Sequence, residues 1–228
     1  MKQLSYLLLI FLFISCNQTS ETNTSQSSEG EQISTSSEDE KNTEISSEST
    51  NKVQETKELK TIEDIREEYK SIVSKIANKK LDSISFQYEC YEEGGVGGEV
   101  SYFSENGSLR VIKYFSGYDH GGISKEYFLK DAKPFFIYKE TSSWNFDVDA
   151  KVENATRDDI TENRFYIIDG KLIQCLEKKF TIRSSMKNNP TSATVANKEV
   201  ECSDLSELLQ DFELVLKYRN QTEKMECL

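Results

Sequence analysis

The sequence predicts an α+β domain in which an antiparallel β-meander of about seven strands packs against an N-terminal and a C-terminal helix. Two observations predict this class. A template of two aromatic residues, a short spacer and an Asn or Asp occurs three times, and an amphipathic helical segment stands before the first copy and after the last. The copies are "YFSENGSL" from Tyr102, "YFLKDAKP" from Tyr127 and "FYIIDGKL" from Phe165.

The chain begins with the features of an export signal. Met1 and Lys2 give a short positive start, and residues 4–14 form an apolar run. That run is too short to cross a bilayer, which takes about twenty residues, but it has the size of the apolar region of a secretory signal. We therefore expect residues 1–15 to be a signal peptide that is removed.

The apolar run ends in "LFISC", residues 12–16, where a small residue directly precedes a cysteine. This stretch resembles the lipobox of bacterial lipoproteins, although Phe13 stands where that family usually has Leu. The resemblance implies cleavage before Cys16, lipid on its thiol and on its new amino group, and a cell-envelope protein attached to a membrane through that lipid. Asn17 is not the aspartate that commonly signals inner-membrane retention in enteric lipoproteins, which favours the outer membrane, with the domain in the periplasm or at the cell surface. The alternative is a plain secreted protein with an incidental cysteine.

Residues 17–56 are almost wholly Ser, Thr, Glu, Gln and Asn and include no aromatic residue. Nine acidic residues against two lysines give them a net charge of −7. Such a segment cannot bury enough apolar surface to offset its ordering entropy, so residues 16–57 are predicted to be a lipidated cysteine followed by a disordered tether. A flexible coil of that length spans about 35 Å, which would hold a folded domain over residues 58–228 away from a membrane.

Two segments have the three- and four-residue apolar spacing of helices that bury one face. In "KTIEDIREEYKSIVSKIANKK", Thr61 is the predicted N-cap, and Glu63 and Asp64 lie in the first turn, where the helix dipole favours acids. In "CSDLSELLQDFELVLKYRN", Ser203 is the predicted cap. Both helices are expected on one face of the sheet, with the other face solvated or curled into a cleft. The two apolar stripes are Ile62, Ile65, Tyr69, Ile72, Val73 and Ile76, and Leu205, Leu208, Leu209, Phe212, Val215 and Leu216.

The repeated template predicts three hairpin tips. Asn-Gly and Asp-Gly, at residues 106–107 and 169–170, tolerate the positive φ angles of a type I′ turn. The middle copy has Asp131 and Ala132 instead, followed by Pro134, so a looser turn is expected there.

Further segments complete the predicted sheet. "DSISFQYECYEE" alternates apolar and polar residues, as a half-buried strand does. The glycine-rich "YEEGGVGGEV" is interpreted as a flexible hairpin turn, because it lacks the Gly-Lys-Ser/Thr ending of a phosphate loop. Neighbouring aromatics such as Tyr127 and Phe128 point to both sides of a strand, which indicates a curved or partly closed sheet.

Charge and cysteine content limit the function classes. The net charge of −12, without a basic patch, argues against nucleic-acid binding. Outside the cytoplasm Cys90, Cys175, Cys202 and Cys227 allow up to two disulfides, with three connectivities. Cys202 and Cys227 flank a helix about 24 Å long and should not pair unless the tail doubles back, so we expect a disulfide that ties the C-terminal segment to the sheet. No Cys-x-x-Cys occurs, and neither a metal nor another cofactor is predicted.

The candidate ligand-binding residues are few. His120 is the only histidine, and Asp119 beside it and Glu126 nearby could orient it for acid–base work or complete a metal site. A surface turn is the simpler interpretation of His120. Trp144 falls within residues 140–159, a predicted polar loop, where it is either buried at the base of the loop or part of an aromatic platform for a sugar or peptide. No catalytic residue is singled out.

We therefore predict a membrane-anchored, non-enzymatic module that binds a protein, a glycan or another envelope component. The alternatives are an envelope hydrolase that uses carboxylates such as Asp119 or Glu126, and a carrier that holds an apolar ligand in a curved sheet. An enclosed apolar cleft would favour the carrier, convergent carboxylates the hydrolase, and a flat aromatic patch the binding module.

Overall fold

The structure is a computed structural model that describes residues 57–90, 95–202 and 204–228. The predicted signal peptide, Cys16 and the tether up to residue 56 lie outside these residues. Within the described residues the chain forms two α-helices and eight β-strands. In chain order these are α1 (Ile62–Ala77), β1 (Asp82–Cys90), β2 (Val96–Glu105), β3 (Ser108–Tyr118), β4 (Gly121–Lys130), β5 (Lys133–Phe146), β6 (Thr156–Ile168), β7 (Lys171–Arg183), β8 (Lys198–Glu199) and α2 (Leu205–Lys217).

The described strands join in one antiparallel sheet in which each strand pairs with its neighbours along the chain. The predicted α+β class and β-meander are confirmed, with one strand more than expected. The additional strand is β8, two residues that pair with Leu176 and Glu177 at the edge of β7. At the opposite edge, Met225 in the C-terminal tail forms a parallel bridge with Tyr88 of β1.

The three template copies form three hairpin tips of the same construction. In each turn both central residues have positive φ, as a type I′ turn requires. The expectation of a looser middle turn is therefore wrong, because Ala132 adopts a φ of 61°. Each tip also shifts register directly after the second aromatic of the template, at Phe103, Phe128 and Tyr166. The repeated residues thus encode a tight turn and a β-bulge, which increases the local twist. The turn pairs are Asn106 and Gly107 (50° and 78°), Asp131 and Ala132 (50° and 61°), and Asp169 and Gly170 (51° and 70°).

Neighbouring aromatics of the template point to opposite faces of the sheet, and a different helix covers each face. Tyr127 packs against α2, whereas Phe128 packs against α1. The expectation that one face takes both helices is therefore wrong. Each central strand buries both of its sides, so each face needs its own cover. The row under α2 contains Tyr102, Ile112, Tyr127, Ile137, Phe165 and Cys175, and the row under α1 contains Phe103, Val111, Phe128, Phe136 and Tyr166.

Disulfides fix α2 at both ends. Cys175 of β7 is bonded to Cys202, just before α2, and Cys90 of β1 is bonded to Cys227, beyond it. The prediction that a disulfide ties the C-terminal segment to the sheet is confirmed, and Cys202 and Cys227 do not pair with each other. β1 forms one edge of the sheet and β7 lies next to the other edge. α2 therefore crosses the strands between two covalent attachments.

Two buried tyrosines add polar contacts beneath α2. The Tyr102 hydroxyl donates to the carbonyl oxygen of Val215 at 2.6 Å, and the Tyr127 hydroxyl donates to that of Leu208 at 3.3 Å. Both hydroxyls would otherwise be buried without a partner, which costs about 1–3 kcal/mol each. Burial also raises the pKa of both tyrosines, so they remain neutral donors.

Both helices begin with side-chain caps. Thr61 caps α1 as predicted, in a reciprocal capping box with Asp64. Asp204 caps α2, and Ser203, the cap predicted from the sequence, lies outside the described residues. Neither helix, nor any other in the described ranges, is long and apolar enough to cross a membrane.

Packing and ion pairs hold α1 on its face. Glu68 pairs with Arg110, and the Lys75 ammonium lies 2.7 Å from a carboxylate oxygen of Glu105. Partly exposed pairs of this kind contribute about 0.2–1 kcal/mol each. The buried isoleucines of α1 therefore supply most of its attachment, at about 1.5–3 kcal/mol for each buried side chain.

Residues 140–159, predicted to be a polar loop, are mostly strand. β5 continues to Phe146 and β6 starts at Thr156, which leaves residues 147–155 as the connection. Asp147 fixes that connection, because its buried carboxylate accepts a hydrogen bond from Arg183 at 2.5 Å. Residues 140–159 are polar because no described helix covers these ends of β5 and β6. The two strands are nevertheless paired there.

The Cys90–Cys227 bond is expected to stabilise the fold more than the Cys175–Cys202 bond, because it closes 137 residues rather than 27. By loop-closure entropy, Cys90→Ala/Cys227→Ala loses about 5 kcal/mol of unfolding free energy and Cys175→Ala/Cys202→Ala about 3.5 kcal/mol. Urea denaturation followed by circular dichroism measures both losses. A larger loss from the Cys175–Cys202 pair would contradict this expectation.

Ala132→Gly is expected to raise the unfolding free energy by about 0.5–1 kcal/mol, because glycine tolerates the left-handed φ at this turn position. Gly107→Ala is the matched reverse change in the first tip and should lower it by about 1 kcal/mol. No atom lies within 4 Å of where a Cβ on Gly107 would stand, so only backbone strain contributes. Thermal and urea unfolding should show that the two substitutions change the unfolding free energy in opposite directions. Changes in the same direction would refute the common turn geometry.

Candidate binding site

α1 covers one face of the sheet only near the three hairpin tips. On that face, β3, β4 and β5 extend past the area that the helix covers. The described helices leave this continuation uncovered, and we call it the open face. On the adjoining strands β6 and β7 the loop of residues 184–197 lies across the sheet, where Ser192 contacts Glu162 and Lys178. The open face presents Lys113 and Phe115 of β3, Ser124 and Glu126 of β4, and Tyr138, Glu140, Ser142 and Trp144 of β5.

A cleft of about 380 Å³ lies where α1 meets the open face. It is lined by four aromatic rings, three cations, an isoleucine and a carboxylate. Phe136 and Tyr166 are buried and form its floor. Tyr69 of α1 packs edge-on against Phe136 with the ring centroids 5.1 Å apart, and Tyr138 forms another wall. Small-molecule sites typically have volumes of about 300–1,000 Å³, so the cleft has the size of a ligand site.

The cations of the cleft are Arg66 and Lys70 of α1 and Arg164 of β6. The Arg66 guanidinium lies 5.8 Å from the ring centroid of Tyr166, and that of Arg164 lies 5.1 Å from the ring of Tyr138. Each distance is within the range of about 6 Å for a cation–π contact. Lys70 is exposed and makes no ion pair within the described residues.

Glu126 is the carboxylate of the cleft, and it is already paired. The Lys113 ammonium donates to its Oε1 at 2.8 Å. Beside it the Tyr138 hydroxyl donates to Glu140 at 2.9 Å, and burial together with this hydrogen bond raises the pKa of Tyr138. Tyr138 is therefore neutral at physiological pH and serves as an aromatic wall.

A buried carboxylate holds Arg164 in place. Glu162 is 2% exposed at its side chain, and its Oε2 accepts from Arg164 at 2.7 Å and from Ser192 at 2.8 Å. Burial by itself raises the pKa of Glu162, but the hydrogen bonds from Ser192 and Arg164 outweigh burial and leave the pKa below its usual value. Arg164 also donates to Asn197 at 3.3 Å, so its guanidinium is fixed from two directions.

Phe115 forms a flat apolar patch on the open face. Its ring lies over Gly117 and Gly122, where an added Cβ would stand 3.2 Å and 3.0 Å from ring carbons. A side chain at either glycine would therefore lift the ring away from the sheet. Phe115 is 48% exposed.

Asp119, His120 and Trp144, the candidates from the sequence, lie at the far end of the open face, near the turn from β3 to β4. His120 stacks on Trp144 with the ring centroids 4.5 Å apart, and the Trp144 backbone N–H donates to the His120 carbonyl at 2.8 Å. Phe146 packs edge-on against Trp144 and is 62% exposed. Trp144 is half-buried within β5, and not at the base of a loop as expected. Asp119 is exposed beside this aromatic corner.

The two carboxylates considered for hydrolysis are not brought together. Asp119 lies in the turn before β4, and Glu126 lies five residues along β4, which is about 17 Å at the rise of a strand. Paired glycosidase carboxylates stand about 5–10 Å apart. The part of the chain that the structure describes also has no group of three His, Cys, Asp or Glu residues that could hold a metal.

Sequence reasoning missed the cleft. Tyr69 belongs to the apolar stripe of α1, and Arg164 directly precedes the third template copy, but neither position by itself indicates a site. Arg66 and Lys70 are four residues apart and share one side of α1, which is the one signal present in the sequence. That side faces β5 and β6 only because the two helices cover opposite faces of the sheet.

Glu162→Gln is expected to lower the unfolding free energy by about 3–5 kcal/mol at neutral pH, because it leaves the largely buried Arg164 without its counter-charge. The pKa of Glu162 is lowered by folding, so its stabilisation is complete above the ordinary value of 4.5 and is lost as pH falls through the folded value. Urea denaturation from neutral pH to about pH 3 should show the gap between wild type and variant closing.

Glu140→Gln is the matched control, because Glu140 lies on the same face and accepts a hydrogen bond that a glutamine oxygen can also accept. We expect it to cost less than about 1 kcal/mol. A gap between wild type and Glu162→Gln that stays constant with pH would refute the ionised state of Glu162.

The cleft and the open face combine aromatic walls, a fixed guanidinium and an exposed ring, which together are typical of a recognition surface. No relative contributes to this conclusion. Comparison of the chain with protein-family models, with curated proteins and with solved structures returns no match in any of the three.

Proposed function

We propose that this chain is a lipid-anchored binding module of the bacterial cell envelope and not an enzyme. Lipid on Cys16 attaches it to a membrane, and residues 17–56 separate the folded domain from that membrane. The cleft beside α1 binds a protein, a glycan or another envelope component. The observation that carries this proposal is the cleft itself, with its aromatic floor and cationic rim.

The geometry favours binding over the two alternatives. Hydrolysis would use carboxylates that converge, whereas Glu126 is paired with Lys113 and Asp119 lies at the far turn. A carrier of apolar ligands would enclose them, whereas this cleft has charged groups at its rim. The exposed aromatic side chain of Phe115 on the open face adds an apolar contact outside the cleft.

Two features support a location in the envelope. The disulfides Cys90–Cys227 and Cys175–Cys202 fit an oxidising compartment. The stretch "LFISC" resembles a lipobox, and several acyl chains, at about 0.8 kcal/mol per buried methylene, give stable attachment. Asn17 favours the outer membrane over the inner one.

Anchoring is tested by growing cells that express the full chain with radiolabelled palmitate. The wild type is expected to carry the label and stay with the membrane fraction, whereas Cys16→Ala is expected to be unlabelled with its signal uncut. In an enteric host, Asn17→Asp should move the labelled chain from the outer to the inner membrane. An unlabelled wild type, or one that stays in the cytosol with an intact leader, would refute anchoring.

Binding at the cleft is tested by photocrosslinking in intact cells that express the full chain. A benzoylphenylalanine replaces Lys70 at the cleft or, as the matched control, Lys217 on the opposite side of the sheet; both lysines are exposed on helices. We expect a discrete adduct with an envelope component from position 70 and none from position 217. The same adducts from both positions, or none from either, would contradict the proposal.

A further inference from the structure

We propose that the cleft binds an oxyanion, a carboxylate or a phosphate, that is attached to a planar apolar ring. The inference rests on the proposed function, because it names the ligand class of the same cleft. Three properties of the cleft support it: the sign of its charge, the hydrogen-bond donors that remain available, and the aromatic floor.

The charge of the cleft is opposite to that of the chain. Its lining has three cations and one carboxylate, and counting their ion-pair partners Glu63, Lys113 and Glu162 leaves a sum of +1, whereas the chain as a whole carries −12. The carboxylate, Glu126, is already paired with Lys113. A positive concavity on a negative protein concentrates anions locally and disfavours cations.

Donors remain available on all three cations. A guanidinium has five N–H groups, and Arg164 uses one on Glu162 and one on Asn197, which leaves the others without an acceptor in the described residues. Arg66 contacts Glu63 at 3.5 Å and the Tyr166 hydroxyl, which leaves further N–H groups of its guanidinium available. Lys70 makes no hydrogen bond or ion pair with the described residues. The planar fork of a guanidinium matches the paired oxygens of a carboxylate or phosphate.

Arg164 is the most firmly held of these cations. Its side chain is 18% exposed, so solvent screens its charge less than that of a surface residue. Glu162 and the ring of Tyr138 hold it, so it loses little freedom when a ligand arrives. Arg66 and Lys70 approach the same space from α1, so an anion between the helix and the sheet meets cations on both sides.

The aromatic lining of the cleft is the reason to expect a planar ring in the ligand. Phe136 and Tyr166 form a buried apolar floor, and Tyr69 and Tyr138 are half-buried walls. Aromatic side chains gain about 0.5–1.5 kcal/mol from edge or offset contacts with another ring, beyond the area buried. The volume of about 380 Å³ accommodates one such ring with a short anionic substituent.

The test compares five small probes on the full chain in detergent micelles by ligand-observed NMR titration. Phenylacetate and phenyl phosphate carry the ring and an oxyanion, phenylacetamide is neutral, phenethylammonium is a cation, and acetate lacks the ring. We expect both ring anions to bind at least fivefold more tightly than phenylacetamide, with phenethylammonium and acetate weaker still. The ratio of phenyl phosphate to phenylacetate affinity shows which oxyanion the cleft prefers.

Lys70→Glu is expected to weaken both ring anions at least fivefold and to leave phenylacetamide within twofold of the wild type. Lys217→Glu is the matched control, with the same change of charge on α2, and should leave every probe unchanged. Equal affinity for phenylacetate and phenylacetamide overturns the proposal, and so does an anion affinity that Lys70→Glu does not change.

The outcome is separable from that of the proposed function. If crosslinking from position 70 gives an envelope adduct but the NMR titration shows no preference for anions, the ligand class is refuted and the binding module is supported. If the NMR titration shows a clear preference for anions but crosslinking gives no envelope adduct, the ligand class is supported and the proposed role in the envelope is refuted.

Discussion

The central strands carry apolar side chains on both of their sides, and this constraint determines the placement of both helices. Tyr127 and Phe128 are adjacent, so they point in opposite directions, and each must be shielded from water. One helix can cover only one face. α2 lies over the Tyr127 row and α1 over the Phe128 row, so the meander becomes the middle layer of three. The cleft follows from the same constraint, because it forms beside α1, where the strands continue beyond the part of the sheet that this helix covers.

The two helices differ in how firmly they are attached to the sheet. α2 has a disulfide at each end and accepts hydrogen bonds from Tyr102 and Tyr127 beneath it. α1 depends on buried isoleucines and partly exposed ion pairs. The cleft thus lies beside the helix that has no disulfide in the described residues. Arg164, in contrast, belongs to the sheet and is held by the buried Glu162.

Local signals predicted the elements, and long-range packing produced the site. Asn-Gly and Asp-Gly indicated two hairpin tips because type I′ turns require positive φ at both central positions. The middle tip adopts the same turn despite Ala132, since pairing on both sides outweighs the strain at one residue. The length of the last helix argued against a bond between its flanking cysteines unless the tail doubled back, and each of them is bonded to a strand instead. Which helix covers which face could not be predicted, because both stripes are equally apolar, and the cleft that joins Arg66 to Arg164 depends on that choice.

The disulfides are nested along the chain, since the loop from Cys175 to Cys202 lies wholly inside the loop from Cys90 to Cys227. Among the four cysteines of the folded domain, a chain that emerges N-terminus first presents Cys90 and then Cys175. A bond between these two would join β1 to β7, strands that stand about 29 Å apart in the finished sheet. An oxidant that links thiols in their order of appearance would therefore trap a chain unable to complete its meander. The native pairing arises when the hairpins assemble before oxidation, or when an isomerase exchanges the wrong bonds. The order of strand pairing and oxidation therefore determines whether the chain reaches its native disulfides.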